Sequence, residues 1–167
     1  ERGAAGAETG ARSVGVRAGW NEGGAARAVA GSQTAGAGGD AKHEGVFAFW
    51  YGKGPGVDRS MDAIKHAALS GASPKGGMLF LMGDDPVSKS STTAHQSEPI
   101  MISGHVPVLF PASVHELIPL GLHALAMSRF SGAPIAMKVG ADTAASAATG
   151  PLYTSPTPRS PPALRMP

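Results

Sequence analysis

Val46-Phe47-Ala48-Phe49-Trp50-Tyr51 runs into Gly52-Lys53-Gly54-Pro55-Gly56, and then into Asp58 to Leu69. The first six residues are apolar without interruption, which reads as a buried strand. Gly and Pro break it. In the third segment Met61, Ile64, Ala68 and Leu69 recur at helical spacing, and Gly71 supplies the stop. Strand, glycine-rich break and helix together are the opening of a parallel α/β unit.

The rest of the centre repeats the theme. Glu22 to Ser32 is Ala-rich and reads as a helix with Asn21 as N-cap. Gly36 to Asp40 reads as a loop. Met78 to Met82 is a second strand, stopped by Gly83-Asp84-Asp85-Pro86, and a polar segment covers Ser88 to Glu98. Val106 to Phe110 is a third strand, with Pro107 placing it near an edge. Ser113 to Arg129 reads as an amphipathic helix with Ser113 and Glu116 in a capping-box pattern; Pro119 inside it shifts the start or kinks it. Ile135 to Lys138 is a fourth strand. Apolar strands separated by helices predict a parallel sheet covered on both faces. Chemistry is then sought after the strands' carboxyl ends, at Gly52–Asp58, Gly83–Glu98 and the loop opening at Pro111.

Composition bounds the function. The chain has 167 residues, enough for one domain with a real core. Residues 1–18 read as loose, 19–146 as the α/β domain, and 147–167, rich in Pro, Ser and Thr, as a disordered tail. Lys and Arg number 14 against 12 acidic residues, and no two basic residues are adjacent. The basic stripe of a nucleic-acid binder is missing, so no nucleic-acid partner is expected. Cys is absent, which excludes disulfides and Cys-ligated clusters in this chain and favours a cytoplasmic setting. No apolar run reaches the ~18 residues of a membrane span, and the N-terminal stretch has no signal-peptide core.

Several motifs carry alternatives. Gly52-Lys53-Gly54-Pro55-Gly56 reads as a phosphate cradle or as a tight turn; it lacks the Walker pattern. Asp84-Asp85 with Ser90-Ser91 reads more readily as a turn cap than as a Mg²⁺ site. His95-Gln96-Ser97-Glu98 reads as a polar cluster, with His95, Gln96 and Glu98 as substrate or cofactor contacts, or as a surface loop bonding its own backbone. Glu22 alone reads as a first-turn carboxylate favoured by the helix dipole. His66, His115 and His123 read as surface or interface residues, and no spacing suggests a metal site.

Taken in order, these stretches resemble one family. Gly45 to Ser60, Gly83-Asp84-Asp85 with Lys89 to Glu98, Pro107-Val108-Leu109 with Pro111, and Ala126 to Gly132 are similar to the large-subunit family of indolepyruvate ferredoxin oxidoreductases. The resemblance spans roughly Gly19 to Lys138. It implies the pyrimidine-binding domain of a thiamine-diphosphate fold. The implied activity is oxidative decarboxylation of an aryl or other 2-oxo acid to an acyl-CoA, with electrons passed to ferredoxin. Asn21-Glu22 leading to Gly31-Ser32-Gln33 matches the pattern around the family's essential Glu, so Glu22 is the implied catalytic residue. Its carboxylate would share a proton with a ring nitrogen of the cofactor. Gly23-Gly24 departs from the acidic and apolar residues usual there, and each Gly costs a helix about 1 kcal/mol.

The resemblance also implies what lies elsewhere. The diphosphate and its Mg²⁺ belong to a partner domain or subunit, whose Gly-Asp-Gly and Asn motif is missing here, and the iron–sulfur cluster is not in this chain. Gly52, Lys53 and Gly54 then border the shared cofactor. The expectation is a piece of a larger enzyme, inactive alone. The other readings are a non-catalytic assembly module and a free-standing anion- or nucleotide-binding domain.

Overall fold

The computed structural model describes residues 15–35 and 42–147. The Gly36–Asp40 loop, most of the 1–18 segment and nearly all of the 147–167 tail lie outside the described residues. Four strands form one sheet in the order β1-β2-β4-β3. They are β1 (Phe47–Lys53), β2 (Gly77–Asp84), β3 (Val108–Leu109) and β4 (Ile135–Gly140). Every pairing is parallel, and Trp50 sits beside Phe80, which sits beside Ala136. The chain is therefore α/β with a parallel sheet flanked by helices. Among the described residues no helix is long and apolar enough to cross a membrane.

Alternation along β2 divides the core in two. Met78, Phe80 and Met82 point to one face with Trp50 and Ala136, beneath α1 (Glu22–Thr34), α2 (Gly54–Ser70) and α3 (Glu98–Ser103). Leu79, Ile135 and Met137 point to the other, beneath α4 (Leu117–Ser131). Burial of β2 on both faces is why its sequence is continuously apolar.

Small residues bring α1 and α2 together: Gly56, Ser60, Ala63 and Ala67 of α2 are buried, as are Ala26 and Val29 of α1. Side chains then join helices to strands. Gln33 donates to Val46 O at 3.0 Å and accepts from Ser73 N at 3.2 Å. Ser128 of α4 accepts from Met78 N at 2.9 Å and donates to Ala133 O at 2.7 Å.

Local chemistry sets the helix ends. Asn21 Oδ1 accepts from Gly24 N at 2.7 Å, which caps α1 in spite of the two glycines. Gly71 at φ 81° and Gly132 at φ 71° end α2 and α4.

Four expectations are corrected. Gly52–Asp58 is not a loop: β1 runs through Lys53 and α2 begins at once at Gly54. Pro55 in the first helical turn is preset for that start, where its missing N–H costs nothing. The third strand shrinks from Val106–Phe110 to Val108–Leu109. Pro107 has no N–H to give the ladder, and only its carbonyl joins, accepting from Ala136 N at 2.8 Å. The helix expected from Ser113 is a 3-10 turn, Val114–Glu116, followed by α4. Ser113 makes no side-chain cap; Glu116 Oε2 accepts from Ala112 N at 2.8 Å, and Pro119 falls in the first turn of α4. Both faces were expected to be covered, yet on the α4 side Phe47, Phe49 and Tyr51 of β1 are exposed. The polar segment also ends in a helix, α3, that its composition hides.

Candidate functional site

Polar and charged side chains gather where β1 and β2 end. Asp84, the last residue of β2, is fully buried and accepts from Ser97 N at 2.8 Å and Ser97 Oγ at 2.5 Å. Those two bonds fold the segment after β2 back onto the sheet and hold the start of α3. His95 is nearly buried between two carboxylates. Its Nε2–H donates to Asp58 Oδ2 at 3.0 Å, and Nδ1 lies 3.7 Å from Asp84 Oδ1 and 3.4 Å from Ser97 Oγ. Aspartate only accepts, which assigns the proton on Nε2.

Lys138 of β4 closes the cluster. Its Nζ is 2.6 Å from Glu98 Oε1 and 3.6 Å from Asp84 Oδ2, and it stands 4.9 Å from the Phe110 ring centre. Glu98 Oε2 is buried with no hydrogen-bond partner among the described residues. Two carboxylates against one ammonium make this corner of the fold acidic.

Asp85 organises the neighbouring turn. It accepts from Ser90 N at 2.6 Å and Lys89 N at 3.0 Å. The Ser90 N–H bond foremost holds its carboxyl below the usual aspartate range; the Lys89 N–H and the Lys53 charge add to this, and desolvation opposes it. Lys53 Nζ donates to Ser90 Oγ at 2.9 Å and to Ser90 O at 2.5 Å.

The residues singled out from the sequence thus fall in two places. Gly52 and Lys53 end β1, Gly54 starts α2, and His95 and Glu98 belong to the acidic cluster. The His95 ring lies against Gly54, where a Cβ would overlap it. Gln96 is exposed and makes no side-chain hydrogen bond among the described residues. Glu22 stands apart, on the first turn of α1, its side chain 42% exposed and 3.4 Å from Arg59 Nη1. Gly56 makes room for it, since a Cβ there would sit 2.9 Å from Glu22 Cγ. The first turns of α2 therefore have His95 against Gly54 and Asp58, and Glu22 against Gly56 and Arg59.

Sequence reasoning put Ser97 in the polar cluster and Asp58 at the end of the glycine-rich segment without giving either a role of its own, and it did not assign Lys138 to a site. Lys138 left a signal. It follows Ala136 on the helix-covered face of β4, and a Lys at a core-facing position needs a carboxylate partner. Ser97 is not an activated nucleophile, because it is buried and its proton is committed to Asp84. Among the described residues no group of three or more His, Cys, Asp or Glu is arranged to hold a metal ion.

Beside Glu22 a groove of about 880 Å³ follows the outer side of β1, between that strand and α1, with Trp20, Trp50 and Tyr51 on its walls. Its walls offer aromatic faces and one carboxylate–guanidinium pair. No protein-family model matches the chain, and no curated protein matches it.

Proposed function

We propose that the chain is the pyrimidine-binding part of a thiamine-diphosphate-dependent 2-oxo-acid:ferredoxin oxidoreductase of the indolepyruvate type. A single observation carries the reading: Glu22 presents a half-exposed carboxylate on the first turn of α1, beside an aromatic groove. The parallel α/β sheet and the order of the quoted motifs support it.

The residues at Glu22 fit an aminopyrimidine. A carboxylate with one guanidinium neighbour holds a proton at a ring nitrogen, and the exposed rings of Trp20 and Tyr51 offer flat apolar surface. When bound, thiamine diphosphate supplies the electron sink for decarboxylation. Asn21 fixes the start of α1 and hence the place of Glu22, while Gly56 lets the side chain lie close to α2. Lys53 is engaged by Ser90 and Gly54 is covered by His95. That leaves the diphosphate and its Mg²⁺ to a partner domain or subunit, as the resemblance implies, and electrons leave through a cluster on another chain.

The test is reconstitution with a diphosphate-binding subunit, read as viologen reduction by an aryl pyruvate with coenzyme A. Activity is expected only in the complex, and Glu22→Gln is expected to lower it about 10²- to 10⁴-fold. Undiminished turnover in the variant overturns the assignment of Glu22.

A second reading, an assembly module without turnover, is favoured by the exposed apolar residues of β1 and α4: Phe49, Tyr51, Ile118 and Leu122. Saturable binding of thiamine diphosphate by the reconstituted complex, lost in Glu22→Gln, separates the two.

A further inference from the structure

We propose that Trp50 is the positioning residue of Glu22: its indole N–H fixes the first turn of α1 against the sheet and so aims the Glu22 carboxylate. The inference rests on the role proposed for Glu22 and names the residue on which that role depends.

The first turn of α1 has little of its own to hold it in place. Gly23 and Gly24 follow Glu22 at once, and glycine is a poor helix residue. The buried residues of the helix are Ala26, Val29 and Gln33, so packing begins a turn beyond Glu22. Asn21 caps Gly24 N, which closes the turn without tying it to the sheet. Arg59 meets the carboxylate at 3.4 Å, and both side chains are exposed, 67% and 42%. An exposed pair of that kind contributes little, because water competes for both charges. Gly56 gives the Glu22 side chain room and no hold.

Trp50 supplies the missing tie. It is 2% exposed, on the helix-covered face of β1, with its ring centre 5.9 Å from that of Phe80. Its Nε1–H donates to Glu22 O at 3.0 Å, 28 residues back in the chain. A carbonyl has a second lone pair, so this bond adds to the helix ladder without displacing it. A buried indole N–H that lost its acceptor would be unpaired, which makes the bond costly to break. Phenylalanine would fill the same core with no donor.

Gly52 belongs to the same device. It lies two residues beyond Trp50 on the same face of β1, and a Cβ there would fall 2.6 Å from Trp50 Cη2. The ring extends over the glycine while its N–H reaches α1. The far end of α1 is tied in the converse sense: Gln33 Nε2–H of the helix donates to Val46 O, just before β1, at 3.0 Å. One bond at each end sets the rotation of α1 about its axis, and that rotation decides where Glu22 points.

The test uses the full chain reconstituted with a diphosphate-binding subunit. Trp50→Phe removes the N–H and keeps an aromatic ring in the core. At saturating thiamine diphosphate its kcat for viologen reduction should fall about 10-fold, since an ångström of misplacement costs up to about 10²-fold. Gly52→Ala keeps the indole but displaces it, and should lower kcat likewise; it carries the test should Trp50→Phe not fold. Phe80→Leu is the control: it loosens the same core and should lower the thermal midpoint with kcat unchanged. In the free chain the Trp50 indole N–H should exchange slowly and that of the fully exposed Trp20 fast. Native kcat in Trp50→Phe beside an impaired Glu22→Gln overturns the inference and leaves the role of Glu22 standing. Undiminished turnover in Glu22→Gln, or none in the native complex, overturns both. A Trp50 indole N–H that exchanges as fast as that of Trp20 overturns the inference by showing no bond to Glu22. Equal loss of kcat in Phe80→Leu and Trp50→Phe overturns it by showing a role in the core alone.

Discussion

Asp84 and Asp85 are adjacent in sequence and do different work. Asp84 is inside, and its two bonds to Ser97 bring His95 and Glu98 to the end of the sheet. Asp85 gathers the N–H groups of Lys89 and Ser90, and Lys53 reaches the same turn. Asp85 has its carboxyl lowered, first by the Ser90 N–H. A group with a depressed folded-state value adds stability above its unfolded value, near pH 4, and loses it as pH falls through the folded value. The Ser90 and Lys89 amide resonances should therefore titrate with a midpoint below that of an ordinary aspartate, and the effect should vanish in Asp85→Asn. A midpoint at or above the ordinary value would show that these bonds do not form in solution.

At the scale of elements, α4 holds two glycines with opposite demands. Gly121 lies inside the helix, and a Cβ there meets nothing within 4 Å. Gly132 is the C-cap at φ 71°, also in open space. Gly121→Ala should stabilise by about 1 kcal/mol through helix propensity. Gly132→Ala should destabilise by about 1 kcal/mol, since only the left-handed backbone resists it. Urea denaturation followed by Trp50 emission measures both, and equal signs would contradict this account of the α4 end. The elements themselves were unevenly legible. Met78 to Met82 announced β2 because burial on both faces needs apolar residues throughout. The start of α2 was hidden, because Gly54-Pro55-Gly56 looks like a turn until the His95 ring and Glu22 are seen packed against the two glycines. The third strand was overestimated, because Val106 is apolar for packing and not for pairing, and Phe110 is exposed with its ring under the Lys138 ammonium.

Across the whole molecule, protection should follow the layers. β2 is covered on both faces and paired on both sides, whereas β1 is paired on one side only among the described residues. Hydrogen exchange at high dilution should find the β2 amides slowest and the outward amides of Phe49 and Tyr51 fast. Equal rates in β1 and β2 at high dilution would mean that the free edge is covered within one copy. The incompletely covered face also bears on the proposed activity, because a domain that shares its cofactor site must present surface to a partner.

Sequence by itself determined the α/β class, the parallel strands of the centre and the capped start of α1, since each follows from local pattern: apolar runs, helical spacing, Asn21 before Glu22. It pointed to His95 and Glu98 as polar groups in an otherwise simple chain. Tertiary structure decided with whom they pair. Asp58, Asp84, Ser97 and Lys138 come from a helix, a strand end, a loop and a distant strand, and only the parallel crossovers bring them within bonding distance. It also decided which strands stand at the edges of the sheet among the described residues, β1 and β3, because strand order is set by how helices pack across the sheet and not by any residue in the strand itself.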